Sequence, residues 1–469
     1  MTSNQWRGRA RMPAREDGLR SASQSAVAAP AEQPKWDALQ VALTILVFMQ
    51  VWRVQDLFPV LALFGLPILA TCVTLLLFVS DRDPRRRLSN LNQPVVLATL
   101  GLLALVALSV PGSLYVAGSL DFLVKGYLRT VLLMLLVAGS IRGFADMRRL
   151  AWLQIAGILL YSGAVTAQFQ MGSNGRLQVL SFYDVNDLAL LIISSLPLVL
   201  YLWRRPAGLG ARVLLTAASA FLMMTLAKTG SRGGFVAFLA VAAYLLLRFR
   251  GISGAKRAAA VALLAILLVG TANSSYFERI STLLHPSRDY NWTGGSEVGR
   301  MEIWKRGIGY MLSHPVFGVG ARSFAVAEGE LAPEARVQRY GRGFKWSEAH
   351  NAFIEIGAEL GVLGLILFVT LLVSAFGLLS RIRRRATGEA PFLAQALMAS
   401  LIGVVVASMF LSQAYSAYLY TLLGMSLGLA RIASPVHRLA PRMARRSVPA
   451  LHPVADTVSL LVDLVGDGR

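Results

Sequence analysis

Cysteine is almost absent from this chain, since Cys72 is the single one among 469 residues. It lies inside an apolar run, so the chain can form neither an internal disulfide nor a metal site built on several cysteines. Acidic residues are also scarce, with 25 Asp and Glu against 46 Lys and Arg. The resulting net charge of +21 does not indicate a nucleic-acid partner, because the basic clusters lie in short segments between apolar runs, where membrane topology explains them.

Apolar residues are in excess: they make up 55% of the chain, and the mean hydropathy is +0.57. Many runs approach the ~20 residues that a helix needs to cross a bilayer, and they are continuous rather than alternating with period two. This pattern predicts an all-α polytopic membrane protein with about twelve transmembrane helices. The runs lie near 37–53, 57–80, 94–111, 119–140, 150–167, 187–203, 213–229, 233–248, 258–272, 350–380, 391–411 and 413–430.

The runs divide the chain into five parts. Residues 1–36 are polar and Arg-rich, without the apolar core of a signal peptide, and are predicted to be a disordered cytoplasmic tail. Residues 37–272 hold transmembrane helices 1–9, 273–349 form one large periplasmic loop, and 350–430 hold helices 10–12. Residues 431–469 form a second cytoplasmic tail, in which 454–466 is weakly amphipathic.

The arginine distribution predicts the orientation of the chain in the membrane. With the N-terminus in the cytoplasm, every Arg-dense loop falls on the cytoplasmic side. These loops are 82–87, 141–149, 204–212, 248–257 and 381–385. The external segments are then 168–186, 229–234 and 273–349.

The turn Lys228–Gly234 places two cations, Lys228 and Arg232, at an external membrane mouth, against the charge bias of the other loops. Its glycines permit close backbone approach, and successive N–H groups there can form an anion-binding concavity. The sequence therefore predicts an anion site. The alternative is an ordinary turn with an arginine that reaches the interface.

Within the large loop, Arg300 and Trp304 are four residues apart and share one helix face. With Ile308 and Met311 they predict an amphipathic helix on the outer membrane surface; a helix that packs on the bundle is the alternative. The following His314–Gly320 segment is interpreted as a structural turn, since Pro315 ends a helix.

His350 lies where the large loop meets the next apolar run. An imidazole there titrates near neutral pH and can take a proton from a hydroxyl group. Glu355 and Glu359 follow on one face of the same helix, where carboxylates are costly unless they face a polar cavity. They either orient His350, bind substrate hydroxyls, or pair with a neighbouring arginine.

Polar residues also precede the sixth apolar run. Asn186 and Asp187 are predicted to cap the helix that follows. Sugar or metal binding is the alternative, although the spacing of Asp184 and Asp187 is a weak metal signal.

Taken in order, these motifs resemble the O-antigen ligase/polymerase superfamily. The resemblance covers roughly residues 180–375 and combines several motifs that are individually weak. They are TGSRGG at the start of a span, the external R-x-x-x-W helix, HPVFGVG, AHNAFIEIGAELG and DVNDLA.

The resemblance implies a GT-C-like membrane glycosyltransferase of the bacterial inner membrane. Such an enzyme transfers a glycan from undecaprenyl pyrophosphate at the periplasmic face, with neither a metal nor another cofactor. Arg232 and Arg300 would bind the pyrophosphate, joined by Lys228, and His350 would deprotonate the acceptor hydroxyl. The residues predicted to support this site are Trp304, Asn351, Glu355, Glu359 and Asn186.

Other functions fit parts of the same pattern. A transporter or flippase of lipid-linked oligosaccharides also needs many spans and buried cations, but no internal repeat of the kind that transporters carry is visible. A scaffold in polysaccharide export is a further alternative. Within the family, the motifs do not separate transfer to lipid A–core, to a growing polysaccharide or to a protein, and residues 321–347 would form the acceptor site.

Overall fold

The computed structural model describes residues 35–58, 60–61, 65–86, 88, 92–168, 176–177, 182–204, 208–285, 287, 289, 291, 299–333 and 346–434. The two predicted tails therefore lie outside the described residues, apart from 35–36 and 431–434, and so does the amphipathic stretch 454–466. Throughout the described residues the regular elements are helices.

The helices follow the apolar runs of the sequence. A 3₁₀ turn (Val110–Gly112) extends the helix that ends at Ser109, and a π-helical segment (Phe122–Tyr127) joins the helix that ends at Asp121 to the one that begins at Leu128. In chain order the helices are α1 (Ala38–Gln50), α2 (Val54–Leu57), α3 (Leu66–Ser80), α4 (Pro94–Ser109), α5 (Val116–Asp121), α6 (Leu128–Ser140), α7 (Phe144–Ala167), α8 (Val185–Trp203), α9 (Leu209–Thr229), α10 (Arg232–Leu247), α11 (Gly254–Thr271), α12 (Ser274–Ser281), α13 (Arg300–Ser313), α14 (Phe324–Glu330), α15 (Ala352–Arg385), α16 (Ala390–Ser408) and α17 (Ala417–Ala433).

In the part of the chain that the structure describes, eight segments are long and apolar enough to cross a membrane: α4 with its extension, α5–α6, α7, α8, α9, α11, α15 and α16. Four more helices, α1, α3, α10 and α17, are apolar but shorter. The chain is thus an all-helical, multi-pass membrane protein, and the total of twelve spans stays a prediction. Burial separates the centre of the bundle from its edge, since 83% of the α8 span is buried against 6% of the α11 span.

One end of the bundle collects the Arg-dense loops. The start of α1 meets two of them, because Asp37 pairs with Arg86 at 2.6 Å and with Arg142 at 2.5 Å. Arg148 pairs with Glu389 at 3.1 Å, and Arg204 lies over the ring of Phe392. Loops that the positive-inside pattern predicts on one side therefore do lie together. Helix α9 runs from the Arg-dense 204–212 loop to the 229–234 turn, so this turn lies at the opposite end, where Arg176 contacts Thr229 and Arg232 contacts Thr282.

The long helix α15 is broken near its start. Gly361 has φ 71° and ψ −172°, which interrupts the helical hydrogen-bond ladder. The His314–Gly320 turn fills the break, which satisfies backbone groups at a depth where water is scarce. The bonds run from the N–H of Val319 to the carbonyl of Ala358 (2.9 Å), from Gly320 to Glu359 (3.0 Å), and from Val362 to Pro315 (2.8 Å). Residues 352–360 thus form a separate half-helix.

Substitution of Gly361 by alanine tests this account of the break. A Cβ at position 361 would overlap the carbonyl oxygen of Pro315, and the positive φ is one that side chains other than glycine rarely adopt. We expect Gly361→Ala to lower the free energy of unfolding by about 2 kcal/mol or more, measured as a drop in melting temperature of the purified protein in detergent.

Gly377→Ala is the matched control on the same helix. A Cβ there meets no atom within 4 Å, and alanine favours a helix over glycine by up to about 1 kcal/mol. Equal melting temperatures for the two variants would contradict the role given to Gly361.

Candidate active site

The turn between α9 and α10 has the conformation that its glycines predict. Gly230 ends α9 with φ 59°, and Ser231 caps α10, its Oγ accepting a hydrogen bond from the N–H of Gly234 at 3.1 Å. The N–H of Ser231 donates to Thr229 Oγ1 at 3.2 Å. Two N–H groups of the predicted anion-binding concavity are therefore already occupied. Anion binding at this turn depends mainly on the side chains around it.

Arg176 brings the external 168–186 loop onto this turn. Its Nε donates to the carbonyl of Thr229 at 2.8 Å, and its Nη2 donates to Asn186 Oδ1 at 2.9 Å. The neighbouring Leu177 N–H donates to the carbonyl of Lys228 at 3.2 Å. Asn186 thus positions an arginine, a role more specific than the capping that the sequence predicts.

Three further arginines surround Arg176. A Cβ at Gly230 would lie 3.2 Å from Arg176 Cγ and 3.5 Å from Arg279 Cδ, so both side chains pass the turn at contact distance. The pKa of Arg176 is lowered to about 10, first by burial and then by the positive charges of Arg279, Arg232 and Arg300, against the opposing effect of Asp184. We call Arg176, Arg232, Arg279 and Arg300 the arginine cluster.

Arg232 is the first residue of α10 and reaches back to the large loop. Its Nη1 donates to Thr282 Oγ1 at 2.9 Å and forms an ion pair with Asp289. Burial raises the pKa of Asp289, but hydrogen bonds from Asn291 and the Arg232 guanidinium outweigh it, so the net shift is downward. Asp289 therefore stays ionised at neutral pH.

Arg300 opens α13, whose contacts hold the entrance to α15. Trp304 Nε1 donates to the carbonyl of Ala349 at 2.9 Å, directly before His350. Ile303 and Tyr310 are buried, whereas Ile308, part of the predicted apolar stripe, is exposed. Met311 of the predicted stripe contacts α15, since a Cβ at Gly357 would lie 2.7 Å from Met311 Sδ. The helix therefore packs on α15 with Trp304 and Met311, and Ile308 is the member of the predicted stripe that stays exposed.

His350 lies at the mouth of the bundle in a strained backbone conformation. Its φ of 47° is uncommon for a residue other than glycine, and such strain is frequent at functional sites. Its N–H donates to Ser412 Oγ at 3.1 Å. Asn351 caps α15, its Oδ1 accepting from the N–H of Phe353 at 3.0 Å and of Ile354 at 3.3 Å. Asn351 thus supports the site by fixing where the half-helix begins.

The two carboxylates of the half-helix differ in their surroundings. Glu359 accepts hydrogen bonds from the N–H of Phe324 at 3.3 Å and from the Tyr415 hydroxyl at 3.1 Å. Glu359 therefore fixes the large loop against the segment that precedes α17. Glu355 is equally buried, but its Oε2 has no hydrogen-bond partner among the described residues.

The start of α8 connects the arginine cluster to His350. Asp184, rather than Asn186 or Asp187, is the N-cap, and Asp187 completes a reciprocal capping box with it. Asp187 Oδ1 also accepts from Gln413 Nε2 at 2.7 Å, one residue after the Ser412 that holds His350. Arg176 and His350 therefore belong to one connected network of contacts.

Several members of this network are absent from the residues that the sequence predicts. Arg176 and Arg279 carry the same signal that marks Arg232, since each is a cation in a segment predicted to be external. Asp289, Ser412 and Gln413 carry no such signal, because only the folded chain brings them to the site. Among the described residues, no group of three or more His, Cys, Asp or Glu side chains could hold a metal ion.

Residues 217–369 match the family model described as O-antigen ligase. The match places this segment in the O-antigen ligase family. It confirms the resemblance that the sequence motifs predict and supports a ligase- or polymerase-type glycosyltransferase activity. The O-antigen ligase segment runs from α9 into α15 and includes Arg232, Arg300 and His350, whereas Arg176 precedes it. No curated protein matches the chain.

Substitution of Arg279 tests whether the arginine cluster binds a phosphate anion. A hydrogen bond to a charged group contributes about 1.5–3 kcal/mol, so Arg279→Gln should weaken pyrophosphate binding by roughly tenfold or more. The measurement is the thermal stabilisation of the purified protein as inorganic pyrophosphate is added.

Arg385→Gln provides the control, because it removes the same charge from an exposed position at the opposite end of the bundle. Pyrophosphate affinities that fall equally in both variants, or in neither, would count against the cluster as the binding site.

Proposed function

We propose that this chain is a bacterial inner-membrane glycosyltransferase that transfers a glycan from undecaprenyl pyrophosphate to an acceptor hydroxyl at the periplasmic face, with both tails in the cytoplasm. The observation that carries the proposal is the convergence of four arginines at the bundle end opposite the Arg-dense loops. Three of them, Arg232, Arg279 and Arg300, lie within the O-antigen ligase segment.

Pyrophosphate is already a good leaving group, so the reaction requires neutralisation of charge more than a strong acid. As the bond between the anomeric carbon and the pyrophosphate oxygen breaks, its electron pair stays on the leaving group. Arg232 and Arg300, with Arg176, Arg279 and Lys228, hold that charge through fixed guanidinium and ammonium groups. Guanidinium donors match phosphate geometry, and this step requires no metal.

His350 is the base in this proposal. It takes the proton from the acceptor hydroxyl while that oxygen attacks the anomeric carbon, a contribution of about 10²–10⁴-fold in rate. The hydrogen bond from Trp304 to the Ala349 carbonyl and the bond from His350 to Ser412 fix its backbone. A base held in advance loses little entropy when the acceptor arrives.

Two single substitutions test the mechanism. His350→Ala should abolish glycan transfer by removing the base, and Arg232→Ala should abolish it by removing a pyrophosphate contact; both proteins should still insert in the membrane. Transfer is measured with purified protein and lipid-linked glycan. His314→Ala serves as control, since His314 is exposed and lies in the turn that fills the α15 break, and it should retain activity. If both site variants transfer glycan at the wild-type rate, the proposed mechanism is wrong.

A deletion strain with glycan profiling identifies the acceptor class. If lipid-linked polymer accumulates and long chains disappear from lipopolysaccharide, the acceptor is lipid A–core and the enzyme is a ligase. If single repeat units remain, the acceptor is the growing polysaccharide and the enzyme is a polymerase. Glycan that accumulates only on the cytoplasmic leaflet would instead indicate a flippase and contradict the proposal.

A further inference from the structure

The half-helix 352–360 carries two buried carboxylates whose roles the structure separates. Glu359 is 2% exposed and Glu355 is 4% exposed. Both oxygens of Glu359 accept hydrogen bonds, from Phe324 and from Tyr415. Oε2 of Glu355 has no partner among the described residues. A buried carboxylate oxygen without a donor is costly, and natural proteins keep such atoms mainly where a ligand satisfies them.

The charges around Glu355 indicate what kind of group would satisfy it. The charged side chains that act on it are Glu359, Arg322 and Glu348. Arg322 is exposed and pairs with Glu348 at 3.9 Å, so its charge is shared between carboxylates. The surroundings are thus rich in carboxylates, which favours a hydrogen-bond donor over a phosphate at this position. A neutral sugar hydroxyl is such a donor.

The position of Glu355 places it beside the proposed base. It lies five residues after His350, and the backbone of Ala414 is among the groups that act on its carboxylate. Ser412, two residues earlier in the same segment, holds His350. The acceptor hydroxyl must reach His350, so a neighbouring hydroxyl of the same sugar comes close to Glu355.

We propose that Glu355 binds the saccharide acceptor, its free Oε2 accepting a hydrogen bond from a sugar hydroxyl next to the one that reacts. This inference rests on the proposed glycosyltransferase function and adds the residue that recognises the acceptor. The donor pyrophosphate binds at the arginine cluster, so Glu355 contributes to acceptor affinity and not to donor affinity.

The test uses the full chain in liposomes, with lipid-linked glycan and acceptor glycolipid both extracted from a strain deleted for this gene. Glu355→Gln keeps the shape of the side chain and removes its negative charge. We expect the KM for acceptor to rise about tenfold or more. The KM for donor, the kcat at saturating acceptor and the pH profile of kcat should stay within about twofold of wild type.

Two further variants make the result specific. Glu355→Asp keeps the charge but draws it back by one methylene, and it should give an intermediate rise in the KM for acceptor. Glu359→Gln should instead lower the melting temperature, because it loosens contacts to Phe324 and Tyr415 that hold the loop.

An unchanged KM for acceptor in Glu355→Gln would overturn the inference. A shifted pH profile of kcat would also overturn it, because Glu355 would then act through His350. If the wild-type chain transfers no glycan at all, the proposed function itself fails. Wild-type transfer with an unchanged KM in Glu355→Gln removes only the acceptor assignment.

Discussion

The structure depends on one constraint: backbone groups buried within a membrane protein must find partners inside the protein. At Gly361 the helical hydrogen bonding of α15 is interrupted, and the His314–Gly320 turn supplies the missing hydrogen bonds. That turn directly follows α13, so the helix that begins at Arg300 and the half-helix that follows His350 are joined at their far ends. Trp304 joins them at the near end through the Ala349 carbonyl. Two sets of contacts therefore fix His350 relative to α13, which begins at Arg300.

The arginine cluster is held together against its own repulsion. Burial and three positive neighbours lower the pKa of Arg176 to about 10, which keeps its guanidinium charged at neutral pH. Asp289 pairs with Arg232 and offsets part of that charge. In the proposed reaction, a pyrophosphate group would bring more negative charge than one carboxylate and would reduce the repulsion within the arginine cluster. It would compete with Asp289 for the Arg232 guanidinium.

Much of this organisation follows from local sequence signals. Apolar runs predict the helices because hydropathy acts over each segment separately, and the arginine bias predicts which loops share one end. Arg232 stands out as a cation in a segment predicted to be external, Arg300 because it shares a helix face with Trp304, and His350 because it lies where the loop meets an apolar run. The break at Gly361, the pairing of Arg232 with Asp289 and the different surroundings of Glu355 and Glu359 depend on contacts between distant segments. Periodicity along one segment contains no information about them.

The large loop is the longest polar segment between apolar runs in the sequence. A much shorter segment, however, connects the residues of the candidate site to one another. Residues 409–416 connect α16 to α17 and carry a few polar side chains. Ser412 holds His350, Gln413 holds Asp187 at the start of α8, and Tyr415 holds Glu359. Such irregular backbone is stable at the mouth of a membrane bundle because it is enclosed by protein. The starts of α8 and α10 meet this segment, through Asp187 and through Gly233, where a Cβ would lie 3.1 Å from Phe410. The half-helix of α15 meets it through Glu359. A donor held by the arginines and an acceptor held by Glu355 would therefore meet across residues 412–415, with His350 between them.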